Sequence, residues 1–157
     1  MKYRIFIALL LYLLLNGSVF SQTSDLVSIS VEKVFLKSGS SSFGKINVKI
    51  REGYHIQSNK VDDEYIIPTE LEIKGVKYIS LVEQKYPESN QFNLEGSDIV
   101  LNVFDGEIEI EFKLQIDTQI MIRSYQLEAN LRYQACDSKS CFAPRSIDFE
   151  IPIEIIN

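Results

Sequence analysis

Cys136 and Cys141 are the only two cysteines of the chain, and His55 is its one histidine. Two thiols separated by four residues can close a small ring, exchange with another dithiol, or contribute to a soft metal site. A zinc site built only from Cys and His would need a fourth ligand that this chain does not possess. Cys136, Cys141 and His55 together would lack that strong fourth ligand, and a C-x-x-C spacing suits metals better than this one. A Cys–His hydrolase is disfavoured too, because no local signature of such enzymes surrounds either cysteine and the second would have no role.

Two readings of the pair lead, with metal trafficking through the reduced form as a third. A ring of six residues contributes about 2 kcal/mol as a staple, against about 4 for a loop of fifty or more. A bridge between hairpin neighbours therefore adds little, and one at an exposed tip would be accessible and labile, as exchange requires. Spacing alone leaves staple and redox pair both open.

The elements that must position these sulfurs show a period of two. Val27, Ile29 and Val31 alternate with polar residues, as do Ile46, Val48 and Ile50 after the turn at 38–42. Ile108 to Ile116, Tyr125 to Tyr133 and Ile147 to Ile155 do the same over longer stretches. Such alternation puts one face of each strand on a core and the other in water. Shorter strands are expected at Ile67–Ile73 and Val76–Val82, with Gly75 between them, and no window carries a helical stripe. About seven strands predict an all-β, immunoglobulin-like antiparallel β-sandwich, with a small barrel as the alternative.

Three segments break the pattern and read as loops: Glu52–Asn59, Gln84–Ser97, and Cys136–Cys141 with Phe142-Ala143-Pro144 after it. The cysteines would then sit at the tip of a hairpin that follows a long strand, Tyr125–Ala135. Glu107, Glu109 and Glu111 read as a solvated face, since carboxylates two apart on a flat strand do not wrap calcium.

The 157 residues carry 16 basic and 22 acidic side chains, a formal charge of −6, which argues against a general grip on nucleic acid. Met1-Lys2-Tyr3-Arg4, an apolar run from Ile5 to Leu15 and small residues up to Ser21 describe a secretory signal peptide; an uncleaved anchor is the alternative. The run is short for a membrane span, which takes about 20 apolar residues. Cleavage after Ser21 removes Lys2 and Arg4, leaving 14 basic and 22 acidic residues and a charge of −8. Residues 22–157 then form one domain outside the cytoplasm, where disulfides persist.

Leu131-Arg132-Tyr133-Gln134-Ala135-Cys136 and Cys141-Phe142-Ala143-Pro144 resemble the cysteine hairpin of the N-terminal domain of the thiol:disulfide interchange protein DsbD family. Gly53-Tyr54-His55-Ile56 with Ser58-Asn59, Ile67-Pro68-Thr69, Lys85-Tyr86-Pro87-Glu88 and Phe104-Asp105-Gly106-Glu107 are similar to further family elements, in order, over residues from about 45 to 155. The resemblance implies a periplasmic immunoglobulin-like domain that carries reducing equivalents from a membrane electron donor to thioredoxin-like proteins. It implies that Cys141 attacks the target disulfide and Cys136 resolves the mixed disulfide, under a cap loop between Tyr86 and Val103. Phe92 and Ile99 are the capping candidates.

His55, Gln57, Tyr133, Gln134, Phe142, Pro144 and Phe92 are the expected supporting or partner-contact residues. His55 is either a plain surface residue or a proton relay to a sulfur. Tyr133 and Phe142 belong to the core or flank the tip. Asp137 and the net charge should oppose thiol ionisation, while Lys139 and Arg145 should favour it. No cofactor and no small-molecule substrate is expected.

Three departures from the family accompany the resemblance. The loop between the cysteines has four residues where the best-known members have five, and His55 and Gln57 stand at positions that are aromatic in some members. The family's membrane and thioredoxin-like domains are absent from this sequence, which implies a separate electron donor. The alternative function is a non-catalytic secreted binding or assembly domain with a structural disulfide.

Overall fold

The alternating stretches form the strands that build the core. The computed structural model describes residues 26–118 and 124–156; the signal peptide expected at residues 1–21 lies outside them. Its strands are β1 (Val27–Val31), β2 (Val34–Lys37), β3 (Ser41–Ile50), β4 (His55–Gln57), β5 (Glu70–Ile73), β6 (Ile79–Lys85), β7 (Asn90–Asn93), β8 (Val100–Phe104), β9 (Glu107–Ile116), β10 (Ser124–Tyr133), β11 (Ala135–Cys136) and β12 (Arg145–Ile156). No helix occurs among the described residues.

Three four-stranded sheets result, with strand orders β1-β3-β9-β6, β2-β12-β10-β5 and β11-β4-β8-β7. The first two contribute Ile46, Val48, Ile110, Phe112 and Leu114 from one side, and Leu36, Leu127, Leu131 and Ile151 from the other, to one buried cluster. This is the all-β sandwich that the alternation predicts. The intervening residues of β9 face outward, where Lys45 meets Glu109 at 2.7 Å and Glu111 at 3.6 Å. Such exposed pairs add little stability, so the apolar face carries the fold.

The departures from the predicted layout have local causes. β2 lies parallel to β12, so the sandwich is not wholly antiparallel. The expected strand Ile67–Ile73 begins only at Glu70, after Pro68, which has no N–H for a ladder. Its neighbour begins at Ile79 and runs on to Lys85, with a bulge between Leu81 and Glu83 that leaves Val82 exposed.

Side chains hold the free edge of β5. The Leu71 N–H donates to the Tyr86 hydroxyl at 2.8 Å, and the Leu71 carbonyl accepts from Gln84 Nε2 at 2.7 Å. Burial pushes the Tyr86 hydroxyl above its ordinary pKa of 10.0.

Two of the three expected loops contain strands of the third sheet. Glu52–Asn59 holds β4, and Gln84–Ser97 holds the end of β6 and all of β7. The expected long strand ends at Tyr133, and after Gln134 the chain leaves β10 to pair β11 with β4. The small sheet closes one end of the sandwich with Ile56, Ala135 and Phe104, which join the main core.

Gly44 tests the packing between the large sheets. It pairs with Phe112, and a Cβ there would lie 2.4 Å from Phe112 Cζ and 2.7 Å from Val34 Cγ2. Gly44→Ala is expected to destabilise the domain by about 1–3 kcal/mol through overpacking. Denaturant unfolding checks this; an unchanged midpoint would show that the two side chains move aside freely.

Candidate functional site

Strand register brings the site together. Cys136 pairs with His55, Gln57 with Val103, and Phe92 with Leu101 across the small sheet. Directly paired residues project to the same face, and so do residues two apart on one strand. One face therefore carries Cys136, His55, Gln57, Val103, Leu101 and Phe92, while Ile56, Ala135 and Phe104 project to the other. Leu101, Val103 and Cys136 form a second buried cluster, with Ile66, Phe92, Leu94 and Cys141 packed around it.

The two cysteines form a disulfide, with Cα atoms 3.9 Å apart. The Asp137 N–H donates to the Ser140 carbonyl at 2.9 Å, and the Phe142 N–H to the Ala135 carbonyl at 2.7 Å. These bonds flank Cys136 and Cys141 and make them a non-hydrogen-bonded antiparallel pair, the register in which side chains approach most closely. Asp137 shapes the turn between them, accepting from the Lys139 and Ser140 backbone N–H groups at 2.8 Å each. Those bonds, first Lys139 and then Ser140, hold its carboxyl below the ordinary value of 3.8.

The two cysteines are unequally buried. Cys136 is 0% exposed, which corrects the expectation of an open hairpin tip, whereas Cys141 is half-buried. The cover comes from β7, β8 and the turn joining them. Phe92 and Leu94 lie in the cysteine cluster, and the Glu95 N–H donates to the Ser138 carbonyl at 2.8 Å. Of the two capping candidates, Phe92 occupies the cluster and Ile99 is 53% exposed.

The other expected residues have distinct places. Gln57 is buried, and its Nε2 donates to Cys136 Sγ at 3.2 Å and Cys141 Sγ at 3.6 Å. The His55 ring stacks on Phe92 with centroids 4.0 Å apart, and its Nδ1 lies 3.8 Å from Asp105 Oδ2. Gln134 is a clamp: its Oε1 accepts from the Ile67 N–H at 2.9 Å, and its Nε2 donates to the Phe142 carbonyl at 3.0 Å.

Tyr133 belongs to the main core and Pro144 is exposed. Phe142 packs at the core edge, 6.2 Å from Tyr54. Sequence reasoning did not assign Leu94, Glu95, Leu101 or Val103 to the site. Leu94 and Glu95 fall within the segment expected to hold the cap, and the only signal for Leu101 and Val103 is the apolar pattern of 100–104, which also suits an ordinary buried strand.

The arrangement is a disulfide between one buried and one half-buried cysteine, an apolar cover from β7 and the turn after it, and an amide donor against both sulfur atoms. A protein-family model described as thiol:disulfide interchange protein DsbD, N-terminal, matches residues 26–152. The crystal structure of the N-terminal periplasmic domain of ScsB from Proteus mirabilis superposes with a TM-score of 0.53 at 15% identity, covering 82% of this chain and 45% of that one. That likeness concerns the fold alone. AggA, the major subunit of aggregative adherence fimbriae type I from Escherichia coli, reaches a TM-score of 0.47 at 12% identity over 83% of this chain and 94% of that one, too distant to argue from. No curated protein matches the sequence.

The Asp137 turn gives a pH prediction. A carboxyl held low in the folded state stabilises above its unfolded value of 3.8, and that contribution is lost as pH falls through the lower folded value. Asp137→Asn keeps an acceptor at the turn but removes this acid-side loss. Unfolding midpoints measured from pH 6 down to about pH 3 should therefore fall less steeply in the variant; parallel curves would contradict the assignment.

Proposed function

The chain belongs to the family of the N-terminal domain of the thiol:disulfide interchange protein DsbD, and on that premise we propose that it is a periplasmic electron carrier working through Cys136 and Cys141. The observation that carries this reading is the unequal burial of the two cysteines. A partner's sulfur can approach Cys141, while Cys136 is reached only from within the domain.

In the reduced domain the Cys141 thiolate attacks a partner disulfide, and one partner sulfur leaves as a thiolate. Cys136 then loses its proton and attacks Cys141 Sγ, which re-forms the internal disulfide and releases the second partner thiolate. Two electrons pass to the partner, and two protons move through solvent to its thiols. Recharging by a membrane electron donor runs the same steps in reverse. The thioredoxin-like identity of the acceptors and delivery by the residue 1–21 signal peptide are parts of the same proposal, supported by the family and by the N-terminal pattern.

Phe92 acts as the cap in this reading. It shields the pair until the turn after β7 lifts away, which requires parting the Glu95–Ser138 hydrogen bond. His55, with Asp105 beside its Nδ1, braces Phe92 from the side. Asp137 is occupied by the turn's backbone, so its charge serves local structure before it acts on a thiol.

Burial of Cys136 also suits a structural staple in a binding or assembly domain. Redox titration with mass-spectrometric counting of free thiols separates the two. A carrier equilibrates with thioredoxin-range dithiols, whereas a staple lies below about −300 mV. Cys136→Ser should trap a mixed disulfide with thioredoxin through Cys141, and failure to do so would favour the staple. Phe92→Ala should speed reduction of the disulfide by dithiothreitol by about tenfold through improved access. An unchanged rate would remove Phe92 as the cap.

A further inference from the structure

We infer that the Gln57 side-chain amide is a catalytic group of the exchange reaction, matched to the reduced cysteine pair and to the Cys136 thiolate rather than to the disulfide. This rests on the redox reading of the pair given above.

Gln57 has little freedom. Its backbone N–H donates to the Gln134 carbonyl at 2.9 Å, and its carbonyl accepts from the Thr69 hydroxyl. Its side chain is fully buried beside Leu101 and Val103, with Nε2 on the two sulfurs. A disulfide sulfur has no hydrogen to give, so the amide must turn its NH2 toward the bridge. Oε1 is then left buried without a hydrogen-bond partner among the described residues.

That is a poor arrangement for a permanent staple. A buried acceptor without a donor costs free energy, and the N–H groups meet only weak sulfur acceptors. An apolar side chain, like those at the neighbouring positions, would serve a permanent bridge better.

Reduction changes both halves of the amide's situation. The S–S bond takes up two electrons and two protons, and each resulting S–H is a donor of the kind Oε1 lacks. When Cys136 ionises to attack Cys141 Sγ, its thiolate is a far stronger acceptor for Nε2–H than the disulfide sulfur was. Gln57 therefore favours the dithiol at equilibrium. It also supports the buried nucleophile during ring closure, in a site without a helix N-terminus among the described residues to do so.

The test uses the reduced, signal-free chain and dithiobis-nitrobenzoate, whose coloured thiolate appears once when Cys141 attacks and again when Cys136 closes the ring. Gln57→Met keeps length without a donor, and Gln57→Leu is the second variant. Both should slow the second release by about tenfold or more, as expected for losing a hydrogen bond to a charged group, and leave the first within about twofold. Both should shift the glutathione equilibrium toward the disulfide by about tenfold, or about 30 mV. Oxidised Gln57→Met should unfold at no lower temperature than the parent, an outcome that a merely structural glutamine would not give.

Unchanged second-phase rates and an unshifted equilibrium would overturn the assignment. Independently of the variants, the Gln57 side-chain amide resonances of the parent must shift between oxidised and reduced forms, and identical resonances would also overturn it. A parent that never releases the second thiolate ends the redox reading itself, a result distinct from a parent that closes as fast as its variants.

Discussion

Everything at the site depends on the register of three residues, His55, Ile56 and Gln57, between β11 and β8. Ile56 points into the main core while Gln57 turns to the sulfurs, and the two are neighbours on one strand. A slip of one residue would send the glutamine into the core and the isoleucine onto the disulfide. Both errors are costly, one as an unpaired buried amide and the other as lost apolar burial, so the register is strongly specified. The chain reinforces it from outside the ladder, through the Gln134 carbonyl, the Thr69 hydroxyl and the Asn102 carbonyl, which accepts from the Ser58 N–H at 2.8 Å.

The same small sheet separates stability from reactivity. One of its faces completes the large core with Ile56, Ala135 and Phe104, while the other holds the sulfur cluster. β4 and β11 are anchored in the sandwich through Ile56 and Ala135. The cover, β7 with its following turn, lies at the edge of the sheet and is held to the cysteine loop by one backbone hydrogen bond and a few apolar contacts. Edge segments with few buried contacts are the ones that open at low free-energy cost. In the proposed carrier, an edge cover over a base anchored in the core is the arrangement that a guarded dithiol requires.

Gln134 shows how the two regions are joined. At this residue the chain leaves the ten-residue strand β10 and enters the small sheet. Its side chain spans the corner, tying the segment before β5 to the one after Cys141. The fold thus carries the second cysteine back beside the first with few irregular residues, and the backbone groups freed at the sheet change find partners.

How much could be read without coordinates follows from the physics of each element. β3, β9, β10 and β12 were legible because each has one wet and one dry face, so burial is written as alternation along the chain. The cysteine hairpin was legible because its pairing is local. β4 and β8 were not: β4 has three residues, too few to show a period, and in β8 the exposed position is the apolar Val100, so its wet face is not written as polar residues. β2 was missed because its parallel partner β12 lies at the far end of the chain.

By itself the sequence determined an all-β sandwich and a closable pair of thiols, since periodicity and short loops are properties of neighbouring residues. Which sulfur is hidden, that Phe92 rather than Ile99 lies over the pair, and that Gln57 meets both sulfur atoms were decided only by the tertiary structure. Those contacts join segments remote in the chain, and spacing along a polymer does not encode the register in which remote strands meet.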